Sequence, residues 1–456
     1  MNIEPIGMRY RHARLALLIA SWLYASAFHF AYVNYIIADW GYWGFTYRTL
    51  GVGEYLFIAF LVTFGAAMMP TMLTRASSIV LLLIYQMVYI PAIMVTLSLD
   101  TDRIEKYGAA LASLAIAFAA ACIAARRPLK TDPTRERISG SSVLGLNLFC
   151  WLICSITLIL SYWSIIHFAN LDEVYQQRAL GAATGPLIGY MQTYLQNVFS
   201  PALIAIGLVR KRPWLVILGF VGCLLIYGIT AQRTAFLLPL TIMGTYWLLR
   251  RKSPLFHTTA VPTVVVAGTM FLSAYFYKKS GVAALICLYL TGRTIAVPGL
   301  TFSQYHDVFG PNDLTWWSHI KGFSSLISAP ANFSGDPLWP QLGLLIGAQV
   351  YKNPVVNVNA NLYSSDGLAA AGSLGVVVVG LAFAIWLRLL DRAAVGWDRT
   401  FVILVVLPVG LALTNAPFAT VLLSFGGLFW LILFLVRKRP ELRKTQAEGL
   451  TSSRAN

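Results

Sequence analysis

The sequence predicts an all-α, polytopic integral membrane protein of about twelve transmembrane helices, and three observations lead there. First, the composition is 58% hydrophobic and 11% charged, far from the roughly 25% charged content of soluble domains. Second, apolar runs recur near 14–36, 54–73, 77–98, 107–125, 142–166, 186–209, 214–231, 235–249, 259–277, 367–388, 400–417 and 418–436. Most approach the ~20 residues that span a bilayer core. Third, the basic clusters fall on alternate loops. Crossing alternately from Arg9, Arg11 and Arg14 puts 24 of the 34 Lys/Arg on one side, and 11 of the 18 acids on the other. The positive-inside rule makes the basic side, with both termini, cytoplasmic. The net charge of +16 is then topogenic charge facing anionic headgroups, not a nucleic-acid footprint.

The elements follow in order. The first run is too long for a signal-peptide core and lacks a cleavage pattern, so it reads as a retained helix. Pro70, Pro91, Pro201, Pro239, Pro262 and Pro408 lie within later runs, where kinks are expected. Cys150 and Cys154 stand one turn apart on the fifth run. With Cys122, Cys223 and Cys287 they make an odd, apolar set that suggests neither disulfide framework nor metal site. Most loops are short. An outer loop at about 167–185 carries Leu171-Asp-Glu-Val-Tyr-Gln-Gln-Arg178. A tight outer turn, Thr230-Ala-Gln-Arg-Thr-Ala-Phe-Leu237, joins the seventh and eighth runs.

The exception in length is 278–363, a large outer loop within a single membrane domain, 1–456. It opens with Ala283 to Leu290, too short to span and read as a re-entrant or interfacial helix. Its many large apolar residues argue against disorder, and folding over the outer mouth of the bundle is expected. Past Arg437 the tail is polar.

The hydrocarbon depth holds almost no ionisable residues, which argues against ion-coupled transport. The informative charges stand at the outer surface, where Lys/Arg are scarce: Arg178, Arg233, Lys278, Lys279 and Arg293. Arg233, held at headgroup level by its turn, suits bidentate recognition of phosphate oxygens. The alternative is a snorkelling lipid contact. Arg293 follows the short apolar stretch, where the plain reading is compensation of a helix C-terminus. Lys278 and Lys279 read as interfacial anchors. Candidate acid–base groups are His306-Asp307, His319 and Asp366; a histidine works near neutral pH without large tuning. Asp366 could instead N-cap the helix opened by Gly367. Trp316, Trp317 and Trp339 could stack on sugars or anchor at the interface. No Walker loop, zincin helix or nucleophile elbow occurs in useful context.

Together these residues resemble Wzy-type O-antigen (oligosaccharide repeat-unit) polymerases of the O-antigen ligase/polymerase superfamily. The resemblance rests on three places. One is the Arg-x-x-x-Leu motif Arg233-Thr-Ala-Phe-Leu237 at an outer turn. Another is Arg293 with Pro298-Gly299, Tyr305, Phe309, Asn312 and Trp317-Ser-His319. The third is Asn359-Ala-Asn361-Leu-Tyr-Ser-Ser-Asp-Gly367 followed by Gly372 and Gly375. The family's Arg-x15-Gly spacing is approximate here: sixteen residues separate Arg293 from Gly310, and Arg178 has no Gly at that distance.

The resemblance implies a GT-C-like fold in the bacterial inner membrane. It implies a glycosyltransferase that moves glycan from undecaprenyl pyrophosphate onto another lipid-linked repeat unit at the periplasmic face, with no nucleotide cofactor; no metal is expected either, since the outer loops hold no carboxylate cluster at ligand spacing. Fixed cations should stabilise the departing pyrophosphate, a role for Arg233, Arg293 and, with less support from the motif, Arg178. The attacking hydroxyl needs a base: His319, oriented by Asp366, with His306 second. Implied partners are lipid-linked oligosaccharides and a chain-length regulator. The alternatives are an O-antigen ligase with the same donor, a lipid-linked oligosaccharide flippase, or a polyprenyl-phosphate-sugar glycosyltransferase using Asp100-x-Asp102. After His319 the loop lacks the Glu of the ligase's longer His/Gly/Glu pattern, and a flippase would want a cationic central cavity.

Overall fold

The computed structural model describes residues 6–99, 103–129, 136–137, 140–168, 173–182, 185–310 and 313–438. Asp100 and Asp102, Asp172, Asn312 and the basic tail from 439 lie outside them. In chain order the helices are α1 (Arg11–Trp43), α2 (Val52–Met68), α3 (Ala76–Ser98), α4 (Arg103–Arg126), α5 (Ser142–Tyr162), the short α6 (Val174–Leu180), α7 (186–209), α8 (Pro213–Thr230), α9 (Arg233–Arg250), α10 (Ala260–Phe276), α11 (Gly281–Val308), α12 (Leu342–Tyr351), α13 (Tyr363–Ala393), α14 (Arg399–Leu413), α15 (Phe418–Ser424) and α16 (Gly427–Leu435). The extended pairing is minimal: Glu136–Arg137 runs antiparallel to Arg437–Lys438. Among the described residues, seven helices are long and apolar enough to cross a bilayer, and the α15–α16 pair, bent by 55°, makes an eighth.

The prolines act through wide, π-type turns. Such turns cover Tyr85–Tyr89, Leu195–Phe199 and Cys287–Ala296, and each ends two residues before a proline: Pro91, Pro201 and Pro298. A proline has no N–H to donate and its ring crowds the carbonyl four residues back. Widening the preceding turn relieves both problems, so the helix bends without breaking. By contrast, Pro239 and Pro408 lie inside α9 and α14.

One end of the bundle is rich in arginine, and these side chains close helices. Arg14 Nη1 donates to the carbonyls of Ala66 (2.9 Å) and Met69 (2.5 Å), and Arg126 Nη2 to Ala67 (2.7 Å) and Met69 (3.0 Å). Arg75 Nη1 reaches the carbonyls of Ala125 (2.6 Å) and Arg127 (2.9 Å), and Arg388 those of Arg127 and Pro128 (both 2.7 Å). The last carbonyls of α2 and α4 lack intrahelical donors, and a cation there also meets the negative end of the helix dipole. Asp391 does the reverse for α3: it accepts from Ser77 N (3.0 Å) and Ser77 Oγ (2.6 Å).

The large segment after α10 corrects the sequence reading. The apolar stretch at 283–290 does not stop short; it continues as α11, 28 residues long. Thr291, Arg293, Ser303 and Gln304 interrupt the apolar run in sequence, but Thr291, Ser303 and Gln304 are buried against neighbouring helices. α11 starts beside the end of α10. A Cβ on Gly292 would sit 2.6 Å from the Trp40 ring, and one on Gly299 would sit 2.5 Å from the Pro91 carbonyl oxygen. Near its end, Asp307 pairs with Lys106 at 2.8 Å. Its contacts therefore lead obliquely across the ends of α1, α3 and α4 that lie opposite the arginine-rich end. α12 follows on the same side: Tyr351 Oη donates to the Trp43 carbonyl (2.9 Å).

Candidate functional site at the end opposite the arginines

α11 organises the candidate site. Arg293, expected at a helix end, is instead mid-helix and exposed, so compensation of a C-terminal dipole does not account for it. Its guanidinium lies 5.2 Å from the ring centroids of both Trp40 and Trp43. One turn earlier on α11, Tyr289 lies under the guanidinium of Arg233, 4.5 Å from the ring centroid. Arg233 opens α9 after a sharp turn in which Ala231 is left-handed (φ 48°). Arg233 from α9 and Arg293 of α11 itself thus stand about one turn apart along α11, each held against aromatic faces. Sequence reasoning missed Tyr289, Trp40 and Trp43. The Trp40-Gly-Tyr-Trp43 cluster closing the first apolar run was the available signal.

Arg178 stands exposed on α6. Its neighbour Gln177 ties α6 to the end of α8 through Nε2, which donates to the carbonyls of Ile165, Gly228 and Ile229. Arg178 therefore lies beside the turn that carries Arg233, on a different element from Arg293. Lys278 and Lys279 follow the end of α10 and lie near the Tyr277 and Tyr275 rings.

His319 and Asp366 come together. His319 Nε2 lies 3.4 Å from Asp366 Oδ1, and the two side chains are only 6% and 4% exposed. With Nε2–H toward the carboxylate, Nδ1 is the acceptor for the Thr315 hydroxyl at 2.8 Å. Asp366 Oδ2 accepts from Ala419 N at 3.0 Å, and Trp317 Nε1 donates to the Asp366 carbonyl (2.9 Å). Asp366 does not cap its own helix, as the sequence suggested; it caps α15. The cap of α13 is Asn361, whose Oδ1 accepts from Tyr363 N and Ser364 N while its Nδ2 donates to the Pro298 carbonyl. The loop backbone is held as well. α13 breaks at Ala371 and Gly372 (φ 58°, ψ −141°), so the carbonyls of Ala369 and Ala370 lose their helical donors. Thr315 N and Trp316 N replace them, each at 2.8 Å.

The pair is chemically a base with its orienting acid, but it lies beneath the 315–319 turn. Thr315, itself buried, stands between Nδ1 and anything outside. A proton exchanged at Nδ1 would pass through the Thr315 hydroxyl, its hydrogen-bond partner. His306 belongs to a separate cluster. Its ring meets Tyr107 edge-on at 5.0 Å and its Nδ1 lies 3.4 Å from Asp307 Oδ1. Asp307 in turn accepts from Tyr107 Oη (2.8 Å). Of the loop tryptophans, Trp317 is committed to Asp366, and Trp339 stacks on Phe333 (8° between planes). Trp316 remains half exposed. Among the described residues no group of three His, Cys, Asp or Glu could hold a metal ion, and the cysteines form no disulfide.

No family profile, curated protein or solved structure matches the chain.

Proposed function

We propose that this chain is an inner-membrane glycan polymerase of the Wzy type, acting at the end opposite the arginine cluster. Its substrates are undecaprenyl-pyrophosphate-linked oligosaccharides, and a chain-length regulator is its partner. In this reading the helices make twelve passes in a GT-C-like arrangement, both termini are cytoplasmic, and α11 with the loop behind it roofs the site on the periplasmic side. The observation that carries the reading is the pair Arg233 and Arg293, one turn apart along α11. A departing pyrophosphate gathers negative charge, and fixed guanidinium groups in a partly dehydrated site stabilise it as it forms. Arginine suits this better than lysine because its planar fork meets two phosphate oxygens at once. His319, held by Asp366, is the base for the acceptor hydroxyl and works through Thr315.

The test is long-chain polysaccharide in a deletion strain complemented with variants, with protein abundance checked in the membrane fraction. Arg233→Ala and Arg293→Ala should each lower polymer yield by about 10²–10³-fold, the loss typical of removing one electrostatic donor. Arg→Lys should recover part of it. Wild-type chain length in both alanine variants at normal abundance would falsify the assignment. A deletion strain whose lipopolysaccharide carries no repeat at all, where a single repeat is expected, points to a ligase.

A further inference from the structure

The end of α1 is fastened to α11 at two places. At the first, the Trp40 ring lies against the backbone at Gly292, where a Cβ would sit 2.6 Å from it. Trp40 Nε1 also donates to Tyr35 Oη (3.1 Å), so the indole is held on its face and at its edge. The second fastening runs through Tyr351, the last residue of α12. Its hydroxyl donates to the Trp43 carbonyl (2.9 Å) and accepts from Gln304 Nε2 (2.6 Å). Its ring meets the Trp43 ring edge-on, with centroids 5.1 Å apart. Gln304 is buried in α11, about three turns further along the helix than Arg293.

One phenolic oxygen therefore joins three segments: α11, α12 and the end of α1. A hydroxyl can do this because it is both donor and acceptor. The ring braced in this way, Trp43, is one of the two whose centroids lie 5.2 Å from the Arg293 guanidinium. Arg293 is exposed, and a long exposed side chain has many rotamers to choose from. Attraction to the indole faces restricts that choice. The direction of the guanidinium matters because its planar fork must meet two phosphate oxygens at once.

We infer that Tyr351 is a positioning residue, which sets the direction of the Arg293 guanidinium by fixing Trp43. This rests on the role proposed above for Arg293. A misplacement of about 1 Å at a group that meets the transition state can cost about 10²-fold in rate, so loss of one remote hydroxyl is felt at the reacting phosphate.

The experiment is a double-mutant cycle on the purified full-length protein. The substrate is the undecaprenyl-pyrophosphate-linked repeat unit extracted from the deletion strain, and polymerisation rate and unfolding midpoint are measured on each variant. Tyr351→Phe keeps the ring and removes the hydroxyl. Alone it should lower the rate by about 10-fold to 10²-fold. In the Arg293→Ala background the same change should cost no further rate, since the group it positions is gone. Trp43→Phe retains an aromatic face poorer than indole and should keep more activity than Trp43→Ala. A merely structural role predicts instead that the losses multiply and follow the fall in unfolding midpoint. If Tyr351→Phe does not fold, Trp43→Phe takes its place in the cycle. A wild-type rate in the folded variant, or a loss that multiplies with that of Arg293→Ala, would overturn the positioning role and leave the proposed reaction standing. A wild-type rate in Arg293→Ala would overturn both.

Discussion

Two aspartates on α13 do the same job at opposite ends of the bundle. Asp391 holds the first turn of α3 and Asp366 the first turn of α15. A buried carboxylate that accepts backbone N–H groups is worth more than a neutral hydrogen bond, about 1.5–3 kcal/mol. Asp391→Ala should therefore lower stability by roughly that amount, read as a drop in unfolding midpoint, and Asp391→Asn by less. Asp366 differs because His319 faces its second oxygen. If His319 acts only as a clasp, His319→Gln lowers stability and polymer yield together. If it is the base, yield should fall about 10²–10⁴-fold while the unfolding midpoint stays near that of the wild type. Both quantities measured on one purified variant separate the two roles. The pairing was expected from the family resemblance, which called for a base and an orienting acid among the outer His and Asp residues. That His319 meets Asp366, and that Asp366 also caps α15, depends on contacts between residues 47 and 53 positions apart, which no local pattern encodes.

At the scale of elements, most of the apolar runs coincide with helices to within a few residues, because a bilayer-length run leaves little choice. The failure at α11 has a specific cause. Its polar residues are buried or bonded within the fold, Gln304 to Tyr351 of α12 and Asp307 to Lys106 of α4, so the run looks broken when read alone. The wide turns have the same effect: a single extra residue shifts the helical phase, and prolines that suggested simple kinks instead sit just behind a widened turn. The break in α13 yields a sharp prediction. Gly372 adopts φ 58°, ψ −141°, a region essentially reserved for glycine. Gly372→Ala should cost about 1–3 kcal/mol and loosen the pairing of Thr315 and Trp316 with α13. Proteolysis of the 313–341 loop in the folded variant should quicken, whereas a change elsewhere in α13, such as the exposed Leu374→Ala, should leave it unaltered.

For the whole molecule, the sidedness proposed from charge can be tested at positions chosen for exposure. Leu326 is 81% exposed in the outer loop and Lys252 is exposed in the turn between α9 and α10. Leu326→Cys should react with an impermeant thiol reagent from outside intact spheroplasts, and Lys252→Cys only after permeabilisation. The resident cysteines are buried or half-buried, so background should be low. Equal labelling of both from outside would overturn the orientation. Turnover should also persist in excess chelator, since arginines are proposed to carry the pyrophosphate charge; loss with EDTA and rescue by Mg²⁺ would count against that. The arginines at the other end bear on how such a chain is made. Positive residues flanking a span are what the insertion machinery retains on the cytoplasmic side. Here Arg14, Arg75, Arg126 and Arg388 are also the donors that finish α2 and α4 once the helices have met. In the orientation proposed above, the signal read during biogenesis and the fastening of the mature bundle are the same atoms. Orientation and fold cannot be mutated apart at this end, and charge reversals intended to invert the protein should leave a poorly assembled product whichever way it inserts.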